Sequence, residues 1–339
     1  MELITINAIR LNGNSMAGRA KVALAVAVLV VVAVVVIATL YSTMVSPKKT
    51  VPHESNWGIY SLNLSSEEVA LVYSSPNMLR GMSLNSAGNT LAFSERIGGA
   101  NQTDEEICKV SVDGSGFTRL TENSLLDVYP AWSSDGSSLY FLSWRNTTLD
   151  IYVMNSDGSG QALFYDSGYN DADIDVVGSK MVFTRQSQIW CMNTDATGVV
   201  RITNPPRAGE WGNADLPFGD YDPKLSPDGS RVVFERLVGD TSVHGNYDLY
   251  SIGLDGTGET ALTDNGYSQG LPIWSHSGDR IVYIVAAIND VGAYRLYMMD
   301  SDGGNNRAIT PDYFPDNFLC TSAVFSLDDT MLYFIGQWW

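Results

Sequence analysis

Tyr129-Pro-Ala-Trp-Ser-Ser-Asp-Gly136, Asp222-Pro-Lys-Leu-Ser-Pro-Asp-Gly229 and Leu271-Pro-Ile-Trp-Ser-His-Ser-Gly278 align residue for residue. Each is followed by a short apolar run: Leu139-Tyr-Phe-Leu142, Val232-Val-Phe-Glu235 and Ile281-Val-Tyr-Ile284. Further on come Asp150-Ile-Tyr-Val-Met154, Asp248-Leu-Tyr-Ser-Ile252 and Arg295-Leu-Tyr-Met-Met299, which run into Asp157-Gly158, Asp255-Gly256 and Asp302-Gly303. A closing segment ends Leu262-Thr263 in one unit and Ile309-Thr310 in another. Short β-branched and aromatic runs bounded by turn residues are strands, and Asp-Gly supplies the positive φ that a tight hairpin needs. A unit of four strands repeating every roughly 40–50 residues has the size of a propeller blade.

Weaker copies extend the series. One runs from Leu84 through Gly88, Leu91-Ala-Phe93, Ile107-Cys-Lys-Val110 and Asp113-Gly114 to Leu120-Thr121. Another holds Gly178, Met181-Val-Phe183, Ile189-Trp-Cys-Met192 and Asp195-Ala-Thr-Gly198, and ends Ile202-Thr203. At the C-terminus, Phe325-Ser-Leu-Asp-Asp329 and Met331-Leu-Tyr-Phe-Ile335 supply only the first half of a unit, whereas Trp57-Gly-Ile-Tyr-Ser-Leu62 and Val69-Ala-Leu-Val-Tyr73 match the missing half. Pairing the two ends closes the ring and removes its free edges. The expectation is an all-β fold, a six-bladed β-propeller of four-stranded blades over residues 57–339.

These residues resemble the TolB-like, WD40-like propeller family, whose repeat centres on a Ser-Pro-Asp-Gly turn, here intact as Ser226-Pro-Asp-Gly229. The resemblance covers nearly all of 57–339. Asp175-Val-Val-Gly178 and Ser326-Leu-Asp-Asp329 depart from the turn pattern. Members of the family generally act as interaction partners in cell-envelope assemblies, so the resemblance implies a binding role.

Residues 22–40 are Val, Ala, Leu and Ile except for Thr39. That is the length of a membrane-crossing helix and exceeds the usual apolar region of a cleaved signal. Arg10, Arg19 and Lys21 precede the run, and Lys48 and Lys49 follow it. The bias of positive charge places the N-terminus in the cytoplasm. The expected layout is a short cytoplasmic tail over 1–21, a single transmembrane helix over 22–44, a stalk over 45–56 and an extracytoplasmic propeller. Secretion after signal cleavage is the alternative. The three cysteines, Cys108, Cys191 and Cys320, are widely spaced and read as buried thiols. Asn63, Asn101 and Asn146 open glycosylation sequons. With 20 Lys plus Arg against 38 Asp plus Glu and a net charge of −18, the chain has no basic footprint for nucleic acid.

The connectors that precede the inner strands gather at one mouth of a propeller channel. They bring Asp127, Asp171, Asp220 and Asp222, with Tyr129 and Tyr221, toward that mouth, opposed by Arg80. An acidic funnel of this kind attracts cations or a basic peptide, although Asp in such connectors also caps turns. The connector at 204–219 is unusually long and carries Trp211 and Phe218. Connectors of that length are usually functional or disordered, and tryptophan is enriched at binding hot spots. Asp171-Ala-Asp173-Ile-Asp175 alternates, which sends three carboxylates to one face where a structural cation could sit. No other cofactor is expected. The oxygen-rich Asp300-Ser-Asp302-Gly-Gly-Asn-Asn306 reads as a turn rather than a calcium loop.

Gly266-Tyr-Ser268-Gln-Gly270 matches a nucleophile-elbow pattern but lies between β repeats, not on the strand-to-helix turn that the chemistry needs. His53, His244 and His276 provide no catalytic set. The leading expectation is therefore a membrane-anchored, non-catalytic extracytoplasmic module holding a cell-envelope protein, a peptide or a glycan. A metal-assisted hydrolase or lyase using Asp171, Asp220 and Asp222 is one alternative. A structural envelope or surface-lattice component is the other.

Overall fold

Each quoted repeat folds into a four-stranded antiparallel sheet, because its apolar runs alternate between turns that only reverse the chain. In the computed structural model, described over residues 49–97, 104–240, 245–286 and 294–339 with 32, 33, 35 and 36, six such sheets are present. Blades 1 to 5 open with the inner strands Leu79–Leu84, Asp127–Trp132, Asp171–Val177, Asp220–Leu225 and Ser268–Trp274. Blade 6 is composite. Its inner strands Phe318–Phe325 and Met331–Trp338 come from the C-terminus, and its outer strands Trp57–Asn63 and Val69–Ser75 from the N-terminal side. The junction is an unbroken antiparallel ladder from Trp57↔Gln337 to Asn63↔Met331. Each inner strand adjoins the next around the circle, and blade 6 returns to blade 1. The ring is closed as the ends of the sequence require.

The core lies between blades. Phe141 and Leu139 pack on Ala92 and Ile107, Phe234 on Val182 and Cys191, and Phe334 on Val282 and Leu296. All three cysteines are buried and free. The turns behave as the Asp-Gly reading requires: Asp157 Oδ1 accepts the Ser159 N–H at 2.9 Å, and Gly158 sits at φ 90°.

The two irregular turns have become inter-blade contacts. Gly178 N–H donates to Ser134 Oγ at 2.7 Å. Asp329, at φ 57° where a glycine usually stands, accepts the N–H groups of His276 and Ser277 at 2.7 and 2.9 Å.

Residues 1–49 form a separate unit from 50–339. Val32, Ala33, Val35 and Val36 are helical. No helix among the described residues is long and apolar enough to cross a membrane. The rest of the span expected at 22–44, the tail at 1–21, stalk residues 45–48, the Asn101 sequon and His244 lie outside the described residues.

Candidate functional site

The inner strands share a feature that shapes the channel. Each carries a β-bulge, and the bulged residue has a positive φ: Gly81 53°, Tyr129 53°, Asp173 54°, Asp222 48°, Leu271 52° and Ser322 36°. Only one of the six is glycine. A bulge re-aims the side chains around it, and side-chain-bearing residues rarely occupy this region of backbone space. Recurrence at six equivalent places means that the ring geometry imposes the conformation.

A cavity of about 350 Å³ occupies the channel, lined by these six residues and by the segments after them, as far as Pro227 and His276 in the following turns. The inner strands run from the long-connector face to the turn face, so the cavity occupies the turn-side half. Its wall is apolar on blades 5 and 6, with Leu271, Ile273 and Val324, and acidic on blades 3 and 4, with Asp173, Asp175 and Asp222. Lys224 is the only lysine or arginine among the lining residues, and its Nζ is 3.8 Å from Asp175 Oδ1.

The carboxylates are tied to backbone across blade boundaries. Asp173 Oδ2 lies 3.4 Å from the Asp222 N–H, Asp175 Oδ2 accepts from Leu225 N–H at 2.9 Å, and Glu235 Oε2 accepts from Leu271 N–H at 2.9 Å. Gly270 makes room for that last bond: a Cβ there would meet Glu235 Oε2 at 2.2 Å. Gly81 likewise lies beneath the Tyr129 ring, 2.6 Å from where a Cβ would point.

Burial pushes the Asp173 carboxyl upward. Burial, then the charges of Asp173 and Glu235, push Asp222 well above the carboxylate range. Burial and Asp173 move Glu235 up to about 8. The Tyr129 phenol is raised by burial and then by Asp222. Beside the cavity, Ser83 Oγ and Trp132 Nε1 are buried and have no hydrogen-bond partner among the described residues. The channel therefore gathers more carboxyl groups than cations, in a setting that favours their protonated forms, beside an apolar wall.

The expected acidic mouth is not assembled. Asp127, Asp171 and Asp220 are fully buried and held by arginines at the ends of the second strands. Arg145 Nη2 lies 2.6 Å from Asp127 and Arg185 Nε 2.7 Å from Asp171. Arg236 bonds both Asp220 oxygens at 2.6 and 3.0 Å and also grips Glu259. Burial raises the Asp220 carboxyl and Arg236 opposes that rise; the two parallel bonds are those of an ionised pair. Arg80, the expected opposing charge, lies 3.0 Å from Glu105. Arg185 and Arg236 stand directly opposite the aspartates that open their inner strands, whereas Arg96 and Arg145 lie one and two residues past the equivalent place.

The Asp171-Asp173-Asp175 triad is divided by its bulge: Asp171 turns to Arg185 while Asp173 and Asp175 face the channel. Among the described residues, no group of three or more His, Cys, Asp or Glu is arranged to hold a metal ion.

The long connector is ordered. Gly209 N–H bonds Phe218 O at 2.9 Å, and Phe218 N–H bonds Glu210 O at 2.8 Å. Phe218 is buried with Ala214, Tyr221 and Leu237 and lies beneath the Arg207 guanidinium, 3.5 Å from the ring centroid. Phe218 and Tyr221 thus fix the loop instead of lining a mouth, and Trp211 is left 70% exposed. Of the expected residues, Tyr129, Asp173, Asp175 and Asp222 meet in the channel, where Glu235 joins the acid cluster. The sequence placed Glu235 in an apolar strand and gave no sign of its role.

No protein-family model matches the chain. It is 32% identical over 181 residues to an uncharacterized protein of Agrobacterium fabrum, covering 50% of this chain and 58% of that protein. It is 31% identical over 127 residues to the Tol-Pal system protein TolB of Desulfosudis oleivorans, covering 35% of this chain and 28% of that protein. The matches thus span little more than half of the first relative and less than a third of the second. Among solved structures, a TolB-type protein of Agrobacterium tumefaciens superposes with a TM-score of 0.62 at 17% identity, over 84% of this chain and 98% of that one. TolB from Acinetobacter baumannii superposes with a TM-score of 0.56 at 17% identity, over 78% and 65%. An oligogalacturonate lyase in complex with manganese reaches 0.52 at 11% identity, over 83% of each chain. At these identities the structural likenesses establish the fold alone.

Proposed function

We propose that the chain, a TolB-like six-bladed β-propeller, is an extracytoplasmic binding module that holds a basic segment of a cell-envelope protein in the turn-side half of its channel. The observation that carries this reading is that Asp173 and Asp222, with the buried Glu235 interacting with them, stand at a cavity that has an apolar wall. A lysine or arginine side chain entering there would favour the ionised form of these carboxyls, which burial and, at Asp222 and Glu235, the neighbouring carboxylates hold above the ordinary range, and the aliphatic stem of the same side chain suits Leu271, Ile273 and Val324. The Tol-Pal system named for one relative suggests a cell-envelope partner.

The apolar run at 22–40 and its flanking charges support a single-pass anchor with the N-terminus in the cytoplasm. A non-catalytic role is favoured because Asp171 and Asp220, two of the three carboxylates that a channel hydrolase or lyase would use, are held by Arg185 and Arg236. The test is a photo-crosslinking residue introduced at Val324, in the channel, or at Val200, on an outer strand, in native membranes. The reading expects one envelope protein to be captured at Val324 and not at Val200. Equal capture at both positions, or none at Val324, would contradict it.

A further inference from the structure

The two ends of the propeller differ in what they expose. Among the described residues of 50–339, the exposed aromatic side chains are Phe117, Trp144, Tyr169, Trp211, Tyr267 and Trp339. All but Phe117 lie on the face where the inner strands begin: Tyr169, Trp211 and Tyr267 on connectors, Trp144 just past a second strand, and Trp339 at the end of the closing ladder. Leu125 and Leu216 are exposed on the same face.

These side chains stand on backbone that is held. Trp144 N–H bonds Leu126 O at 2.9 Å and Trp339 N–H bonds Asn317 O at 3.1 Å. Tyr267 N–H bonds Asn265 Oδ1 at 3.2 Å. Trp211 rides on the loop closed by Gly209 and Phe218.

The chain enters the propeller at this same face. Val51 is buried in the blade 5–6 core, the His53 ring stacks on Trp338 at 4.1 Å, and Asn56 O accepts the Trp338 N–H at 2.7 Å.

Tryptophan and tyrosine favour the membrane–water interface, where an apolar ring and a polar edge are both satisfied. The face does not attract lipid by charge. Arg96, Arg145, Arg185 and Arg236, which reach toward it, are each paired with a buried carboxylate.

We infer that the connector face is a lipid-facing surface, resting Trp144, Tyr169, Trp211, Leu216 and Tyr267 in the interfacial zone of a bilayer of neutral headgroups. The channel axis then stands along the membrane normal, and the acidic cavity opens away from the bilayer, where an envelope partner can reach it. This inference rests on the proposed membrane anchor.

The full-length chain is reconstituted in phosphatidylcholine vesicles with a nitroxide attached at Thr147→Cys, beside Trp144, or at Ala87→Cys, in a turn on the opposite face. The native thiols are buried, so the introduced cysteine takes the label. Accessibility to oxygen, which partitions into lipid, is compared with accessibility to a water-soluble nickel chelate. The expected oxygen-to-nickel ratio is several-fold higher at position 147 than at 87. Equal ratios in chains that sediment with the vesicles would overturn the lipid-facing surface and leave the anchor standing. Chains that do not sediment with the vesicles would overturn the anchor and this inference together. A label at 147 that is shielded only after a membrane protein extract is added would assign the aromatic face to a protein partner and overturn the lipid assignment.

Discussion

Thr121, Thr203 and Thr263 each place Oγ1 where it accepts the N–H of a third-strand residue, Ile107, Ile189 or Leu249, at 2.8–3.0 Å. Thr310 does the same for Leu296 at 2.7 Å. The preceding Leu or Ile N–H returns to the carbonyl of that same third-strand residue, as Leu262 does to Leu249. The recurring Leu/Ile-Thr pair thus continues the blade after its two-residue outer strand ends. Thr263→Val would leave the buried Leu249 N–H without a partner, a cost of about 1–3 kcal/mol, measurable by urea unfolding. Thr260→Val, on the exposed outer strand, should be nearly neutral and serves as the control.

Glu235 shows the opposite balance. Its folded carboxyl titrates above the ordinary range, so across that interval the folded state keeps a proton that the unfolded chain has released. Its contribution to stability is therefore largest at acid pH and declines as pH rises. Glu235→Gln, whose amide oxygen can still accept from Leu271, should flatten that decline. At pH 8 it should raise stability by at least about 1.4 kcal/mol, a tenfold change in the folding equilibrium, while leaving it nearly unchanged at pH 5. Thermal unfolding at the two pH values reads this directly.

At the scale of an element, the inner strand begins with an aspartate whose partner is a distant arginine: Asp171 with Arg185, Asp220 with Arg236. Removing one member of such a buried pair leaves an uncompensated charge and costs about 3–5 kcal/mol. Asp220→Ala should therefore lower Tm by on the order of 10 °C, whereas Asp222→Asn, two residues along and facing the channel, should not. The contrast separates structural carboxylates from those available to a ligand. It also shows what the sequence conveyed. Turn chemistry is local, so Asp-Gly and Ser-Pro-Asp-Gly could be read from four residues, and the repeat then supplied strands, blade count and closure. Side-chain partners 14–16 positions away leave no local pattern. The bulge at Asp173 reverses the face of every residue after it, and a Tyr, Asp, Leu or Ser at positive φ carries no signature equivalent to glycine. For these reasons the acidic connectors were legible as a set, but their division between blade interior and channel was not.

For the whole molecule, closure depends on the N-terminal strands. Deleting residues 57–73 removes two of the four strands of blade 6 and bares Ile335 and Phe334, both fully buried. Loss of a cooperative unfolding transition is expected, and a deletion that melts like the full chain would contradict ring closure.

The closed ring in turn sets an acidic, half-apolar cavity within a chain of net charge −18. If this cavity, not the general acidity of the surface, selects a basic ligand, then binding must survive salt and depend on the channel carboxyls. The decisive measurement is a calorimetric titration of the full chain in detergent with pentalysine, at about 0.15 M salt so that exposed charges are screened beyond roughly 8 Å. Saturable binding with one peptide per chain is expected, weakened at least tenfold in Asp222→Asn/Glu235→Gln at unchanged Tm or higher. Binding of equal affinity in the double variant, or binding that vanishes in the unaltered chain at this salt, would contradict a ligand site in the channel.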